Sequence, residues 1–417
     1  MKRVLSKIFL LFFGIIYMVS LFSIVRGEWA SSHSTIEKFS EVVKSNPRNP
    51  KLWKNYAGFL LQDFRSTDNS AAVKAFLEAI ALNPLDPANW DGLASAYLAV
   101  GDPAESEAAL RAWLVAIPHS PDAAWRLGNF LIIEDRVQES FPYLKAAAEG
   151  DFRLQAPLFD VGWKLIADPQ TILNKLIPSD PKVREAYLFF LLQTNRVGDA
   201  GKVWSIVRGN HNEQALNLGY IYLERLIAAG NGEVAATVWD GLLTDTGRVW
   251  AKPAGDLMTN GDFEAGLPNK GLDWKFFVEP GFQISLDDTT VQNGTHSLRV
   301  TFDGTANPEF YHVGQSVPVE PNRDYRFRAY LKSENITSDS GMHFSLILRD
   351  PPPGQNPELL TENRLGTSPW TLEQVDFRTG PATHFVDVRL RRLRSRKLNN
   401  LIQGSVWIDN VSIKLRP

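Results

Sequence analysis

Pro84 is followed 34 residues later by Pro118, and the residues between them fall into two helix-length segments with apolar positions at i, i+3, i+4 and i+7. A chain that repeats at this interval is built from helix pairs, each too small to bury its own apolar face, so neighbouring pairs must stack. The spacing Trp90-x2-Leu93-Ala94-x2-Tyr97 marks the first helix of a pair, and Ala72-x3-Phe76-x2-Ala79-x4-Pro84 marks the second. The small residue lets two helices approach, the aromatic fills the space between them, and proline ends the second helix because it has no N–H to continue it.

These spacings resemble the tetratricopeptide-repeat family. The match is closest over residues 51–150, where Trp53, Trp90 and Trp125 recur at intervals of 37 and 35, with a short insertion around Ser66 to Asn69. Ala200-x3-Trp204 and Ala235-x3-Trp239 lie 35 residues apart and extend an all-α, tetratricopeptide-like solenoid over residues 35–246. The resemblance implies a groove that docks a protein partner, and scaffolding in place of catalysis. The tryptophans at repeat positions read as core.

Beyond a linker at 247–255 the period changes to two. Ser297 to Phe302, Tyr325 to Tyr330 and Phe385 to Leu390 alternate polar and apolar side chains, separated by turns such as Gln292-Asn293-Gly294 and Glu320-Pro321-Asn322. One wet face and one dry face per strand predict an antiparallel all-β sandwich over 256–417. Asn260-Gly261-Asp262-Phe263-Glu264 and Trp407-Ile408-Asp409-Asn410-Val411 read as its first and last strands.

In this order, with Gly294-Thr295-His296-Ser297 and Gln315-Ser316-Val317 between them, the motifs resemble jelly-roll carbohydrate-binding modules of the CenC type, the family 4, 9 and 22 group. The resemblance implies a structural calcium ion held by Glu264 and Asp409, with Asp262 and the Asn293–His296 turn completing the set; otherwise the two acids cap strand ends. It also implies polysaccharide binding through flat aromatics and planar polar groups, for which Trp274, Phe310, Tyr311, His312, Phe344, Arg349 and Trp370 are candidates. The same aromatics serve equally as core packing. Arg389, Arg391, Arg392, Arg394, Arg396 and Lys397 form a positive cluster, either a solvated segment paired with local acids or a contact for an acidic polysaccharide or lipid phosphate.

With a formal net charge of −3, the chain is not a generally basic nucleic-acid binder, and with no cysteine it has neither disulfides nor zinc–thiolate sites. Lys2, Arg3 and Lys7 precede an apolar run from Ile8 to Val25, so residues 1–30 read as an export signal. Arg26-Gly27-Glu28-Trp29-Ala30 offers no small-x-small cleavage site, which favours a signal anchor over a cleaved peptide and places the rest outside the cytoplasm, in a bacterial periplasm or on the cell surface. Anchor, repeats and sandwich use the whole chain, leaving no segment for a separate catalytic domain. The expected function is that of a noncatalytic envelope scaffold that docks a protein and binds polysaccharide, in the assembly or retention of surface polysaccharide. The alternatives are a purely structural or protein-binding sandwich, and an accessory role in glycosyl-bond hydrolysis.

Overall fold

The computed structural model describes residues 36–62, 69–248, 254–398 and 400–416. The expected anchor, most of the insertion before Asn69 and linker residues 249–253 lie outside them. Among the described residues, no helix is long and apolar enough to cross a membrane. The chain forms two compact units that divide between Tyr187 and Leu188.

The first unit is a run of paired helices: α1 (Ile36–Ser45), α2 (Pro50–Gln62), α3 (Ser70–Leu82), α4 (Pro87–Val100), α5 (Pro103–Ala116), α6 (Pro121–Ile133), α7 (Val137–Gly150), α8 (Gln155–Leu165) and α9 (Pro169–Lys175), followed by α10 (Pro181–Gln193) at the division. Several of these starts follow one rule. A capping oxygen precedes proline at the first helical position, and Asp86, Asp102, Ser120 and Asp168 accept from the amides of Ala88, Glu105, Ala123 and Thr171. Trp53 and Trp90 donate their indole N–H to the carbonyls of Pro47 and Pro84, both at 2.8 Å, so the repeat is reproduced bond for bond. Trp125 is half-buried like Trp53 and Trp90, but stands two residues before the buried Leu127 where Trp90 stands three before Leu93, and Gly128 packs against Leu144.

The second unit begins with α11 (Val197–Val207), α12 (Glu213–Ala228) and α13 (Gly232–Asp245) and continues into ten strands. These are β1 (Lys275–Phe276), β2 (Phe282–Asp287), β3 (Ser297–Asp303), β4 (Phe310–Pro318), β5 (Asp324–Ile336), β6 (His343–Leu348), β7 (Glu358–Leu360), β8 (Gly366–Arg378), β9 (Phe385–Arg392) and β10 (Gln403–Leu415). They form two antiparallel sheets, β1-β4-β9-β6-β7 and β2-β3-β10-β5-β8. The dry faces of the alternating strands meet in one core that holds Val300, Val313, Phe327, Phe344, Val388 and Ile408.

Strand β10 lies in the middle of its sheet, and Phe263 shares the core with Ile408. Asn260–Glu264, however, is a turn and not a strand. Asn260 and Phe263 take left-handed φ values of 50° and 59°, and the Asn260 side chain donates to Gly266 O and accepts from Ala265 N, a local bonding pattern that competes with a strand ladder. Phe263 is held in this conformation by burial against Trp274, with ring centroids 5.2 Å apart.

The helical hairpin α12–α13 packs on the sandwich within this unit. Trp239 of α13 lies over Gly271, where a Cβ would overlap the indole, and its N–H reaches Thr259 Oγ1 at 3.3 Å. Arg349 donates to the carbonyl of Ile227 at 2.9 Å, and Lys275 pairs with Glu224 at 2.7 Å. The switch from helix to strand thus falls inside one compact unit.

Candidate functional site

Directly opposed residues on antiparallel strands share a face. In the β1-β4-β9-β6-β7 sheet, Lys275 opposes Gly314, Gly314 opposes Arg389, Arg389 opposes Ser345, and Ser345 opposes Leu360. This row crosses the outer face, because the alternate residues Val313, Leu390 and Phe344 are core. Gly314 and Ser345 are small, and Ser345 is buried with its hydroxyl donating to Glu358 at 2.6 Å, while Arg389 between them is half-buried. Among the described residues Arg389 pairs with no carboxylate.

On one side of the row lie Arg391 and His343, directly opposed. Arg391 bonds Glu358 and lies 3.7 Å from Glu309. His343 is 6% exposed, yet neither ring nitrogen has a partner among the described residues. Burial, then the neighbouring Arg391 charge, lowers its pKa, so the ring is neutral with one nitrogen free to accept. Tyr311 is 47% exposed and stands edge-on to Phe277, which is 46% exposed, at a centroid distance of 5.7 Å. On the other side, Asp387 accepts from Arg349 at 2.7 and 3.0 Å and from Ser316 at 2.6 Å. Through Arg349 and Lys275, α12 closes that end of the face.

The predicted site residues divide accordingly. Tyr311 and Arg349 reach this face. Trp274, Phe310 and Phe344 are fully buried in the core, and His312 is 2% exposed among Phe277, Phe282 and Phe310, so none of the four offers a ring to a ligand. Trp370 is half-buried on β8, in the other sheet.

The positive cluster does not converge either. Arg389 and Arg391 share the outer face. Arg392 is fully buried and donates to Ser340 O, Pro308 O, Asn307 Oδ1 and Ser338 Oγ, a structural tie. Arg394 and Arg396 are exposed in the following loop, where Lys397 pairs with Asp339 at 3.3 Å. His343, Ser345 and Gly314 are the additions, and period two in His343-Phe344-Ser345-Leu346 is the signal that finds the first two, since the residues beside a core Phe face outward.

Glu264 and Asp409 do meet the 292–296 turn. Glu264 accepts from Thr295 N at 2.6 Å, His296 N at 2.9 Å and the Thr295 hydroxyl, while Asp409 accepts from the amides of Gln292, Asn293 and Asn410 at 2.9, 3.1 and 2.7 Å. Burial alone would raise Glu264, but these donors bring its pKa down to about 2. Burial outweighs the three amides at Asp409 and raises it. Among the described residues no three acidic, histidine or cysteine side chains gather where they could hold a metal ion. The Glu264 and Asp409 oxygens are engaged by these N–H and O–H donors as a hydrogen-bonded clasp between the opening turn, the 292–296 turn and β10.

No protein-family profile matches the chain, and no curated protein matches it. Solved structures do resemble its parts. Tailspike protein 4 of bacteriophage CBA120, in its enzymatically active domain, matches 40% of this chain at 13% identity and a TM-score of 0.29, and the match spans 22% of that protein's length. The CBM22-1 xylan-binding domain from Paenibacillus barcinonensis Xyn10C matches 40% of this chain and 97% of its own at 18% identity and a TM-score of 0.27. YrrB, a TPR protein with an unusual peptide-binding site, matches 51% of this chain and 94% of its own at 15% identity and a TM-score of 0.25.

Proposed function

We propose that this protein is a noncatalytic envelope scaffold whose sandwich binds an acidic polysaccharide on the outer face of the β1-β4-β9-β6-β7 sheet, while its helical repeats dock a protein partner and residues 1–30 anchor it to a membrane. The observation that carries the reading is Arg389, a half-buried guanidinium with no carboxylate partner among the described residues, set between Gly314 and Ser345. A uronic acid carboxylate supplies the missing bidentate partner. Tyr311, 47% exposed on β4 of the same sheet, offers its ring to a pyranose face. Retention of surface polysaccharide is the role such a scaffold serves.

Calorimetric titration with polygalacturonate tests this reading. Arg389→Ala is expected to weaken binding about tenfold or more, and Tyr311→Ala less. Equal affinity in wild type and Arg389→Ala, or no binding by wild type, would leave the sandwich as a structural or protein-binding module.

A further inference from the structure

A second cavity lies on the other side of the sandwich. It is a cleft of about 910 Å³, within the range of roughly 300–1,000 Å³ usual for small-ligand sites. Its floor is the outer face of β5 and β8, with Arg328, Tyr330 and Leu372. One wall is the end of α13, with Asp240 and Leu243, continued by Arg248. The other wall is the turn at 260–265, together with Asn293 and Asn410. It shares no lining residue with the Arg389 face.

Two features mark this cleft as built. A β-bulge interrupts the pairing of β10 with β5 between Asp409 and Ser412, and there Asn410 takes a φ of 49°. Bulges of this kind re-aim a side chain at a ladder's end, and Asn410 lines the cleft. On the same wall stands Asn260 at φ 50°. Two non-glycine residues in left-handed conformation thus stand at one rim, their segments tied by Val411 N donating to Gly261 O at 2.8 Å. Conformations of this cost persist where the surrounding structure over-determines them, and they gather at binding sites.

The chemistry of the lining names the ligand class. Its charges nearly cancel: Asp240, Asp256, Asp262 and Glu264 face Arg248, Arg328 and Lys414, so neither an anion nor a cation is favoured as a whole. Donors and acceptors lie side by side around a phenol ring and a leucine that is 40% exposed. The Tyr330 hydroxyl, the Asp240 carboxylate and the Asn293 amide make no hydrogen bond among the described residues. A pyranose meets all of this, with an apolar face for Tyr330 and Leu372 and hydroxyls that both donate and accept. We infer that this cleft is a second carbohydrate site that takes a neutral oligosaccharide, distinct from the acidic-glycan face.

Isothermal titration of the full chain with cellohexaose, xylohexaose and laminarihexaose tests it. At least one is expected to bind, and to remain bound when polygalacturonate is present at saturation. Tyr330→Ala is expected to weaken that binding about tenfold, and Asp240→Ala, at an exposed helix position that cannot affect folding much, about fivefold. Absence of binding by all three sugars, displacement by polygalacturonate, or unchanged affinity in Asp240→Ala would overturn the inference. Loss of polygalacturonate binding in Arg389→Ala bears only on the other face, so the two readings fail separately.

Discussion

Asp273 is fully buried at the foot of the sandwich, with one carboxylate oxygen accepting from Trp274 N at 2.6 Å and the other without a partner among the described residues. Burial pushes its pKa up to about 7, against the partial opposition of that amide and the Asn260 side chain. The native state therefore keeps a proton that the unfolded chain releases near pH 4, so this group lowers stability as pH rises from about 4 to 7. Asp273→Asn keeps an acceptor for Trp274 and removes the charge. It is expected to raise the melting temperature at pH 8 more than at pH 5, and parallel melting curves across pH would contradict the assignment. Glu264 has the opposite sign: its depressed pKa gives stability that is complete above about pH 4.5 and is lost as pH falls toward 2. Glu264→Ala is expected to cost about 1–3 kcal/mol at neutral pH in chemical denaturation. Since its oxygens are filled by protein donors, excess chelator is expected to leave the melting temperature unchanged, and a rise on adding calcium would refute the clasp. These roles follow residue identity only in part. An acid in the opening motif and one in the closing motif are legible, but what they hold depends on where the 292–296 turn lands. Likewise Arg389 and Arg392 look alike in sequence, and only the strand's alternation, carried through to the sheet, sends one to the surface and the other to a buried tie.

The helix pairs show how far periodicity reaches at the scale of elements. Small-residue and aromatic spacing predict which side of each helix packs, and the structure follows it at Leu93, Ala94, Ala72, Phe76 and Ala79, all buried, whereas Pro142 stands inside α7 without ending it. Glycines that look interchangeable in the sequence are not. A Cβ at Gly58 would meet nothing within 4 Å, whereas one at Gly92 would overlap the Phe76 ring. Gly58→Ala is expected to stabilise by about 0.5–1 kcal/mol through helix propensity, and Gly92→Ala to destabilise by about 1–3 kcal/mol through overpacking, as read by urea denaturation. Strand existence was equally legible from alternation. Strand order was not, because β9 lying between β4 and β6 is a long-range choice that local pattern does not carry. The turn at Asn260–Glu264 reads as a strand for the same reason: its apolar Phe263 is buried, but the Asn260 side chain diverts the backbone before a ladder forms.

At the scale of the molecule, composition changes at the linker while compactness changes some sixty residues earlier, between Tyr187 and Leu188. Sequence periodicity records what each segment is made of, and contacts between segments of different kinds leave no period, so Trp239 reads as one more repeat tryptophan although it packs against Gly271 of the sandwich. Trp239→Ala in the full chain is expected to cost about 3–5 kcal/mol, seen as a lower melting temperature for the strand-rich part. A melting temperature unchanged by this substitution would show that the hairpin contributes nothing to the sandwich. Anyone wishing to transplant the sandwich onto another protein should accordingly cut ahead of α11, after Gln193. A graft that begins at Asp256 would carry away the sheets and leave behind the two helices that serve as their buttress.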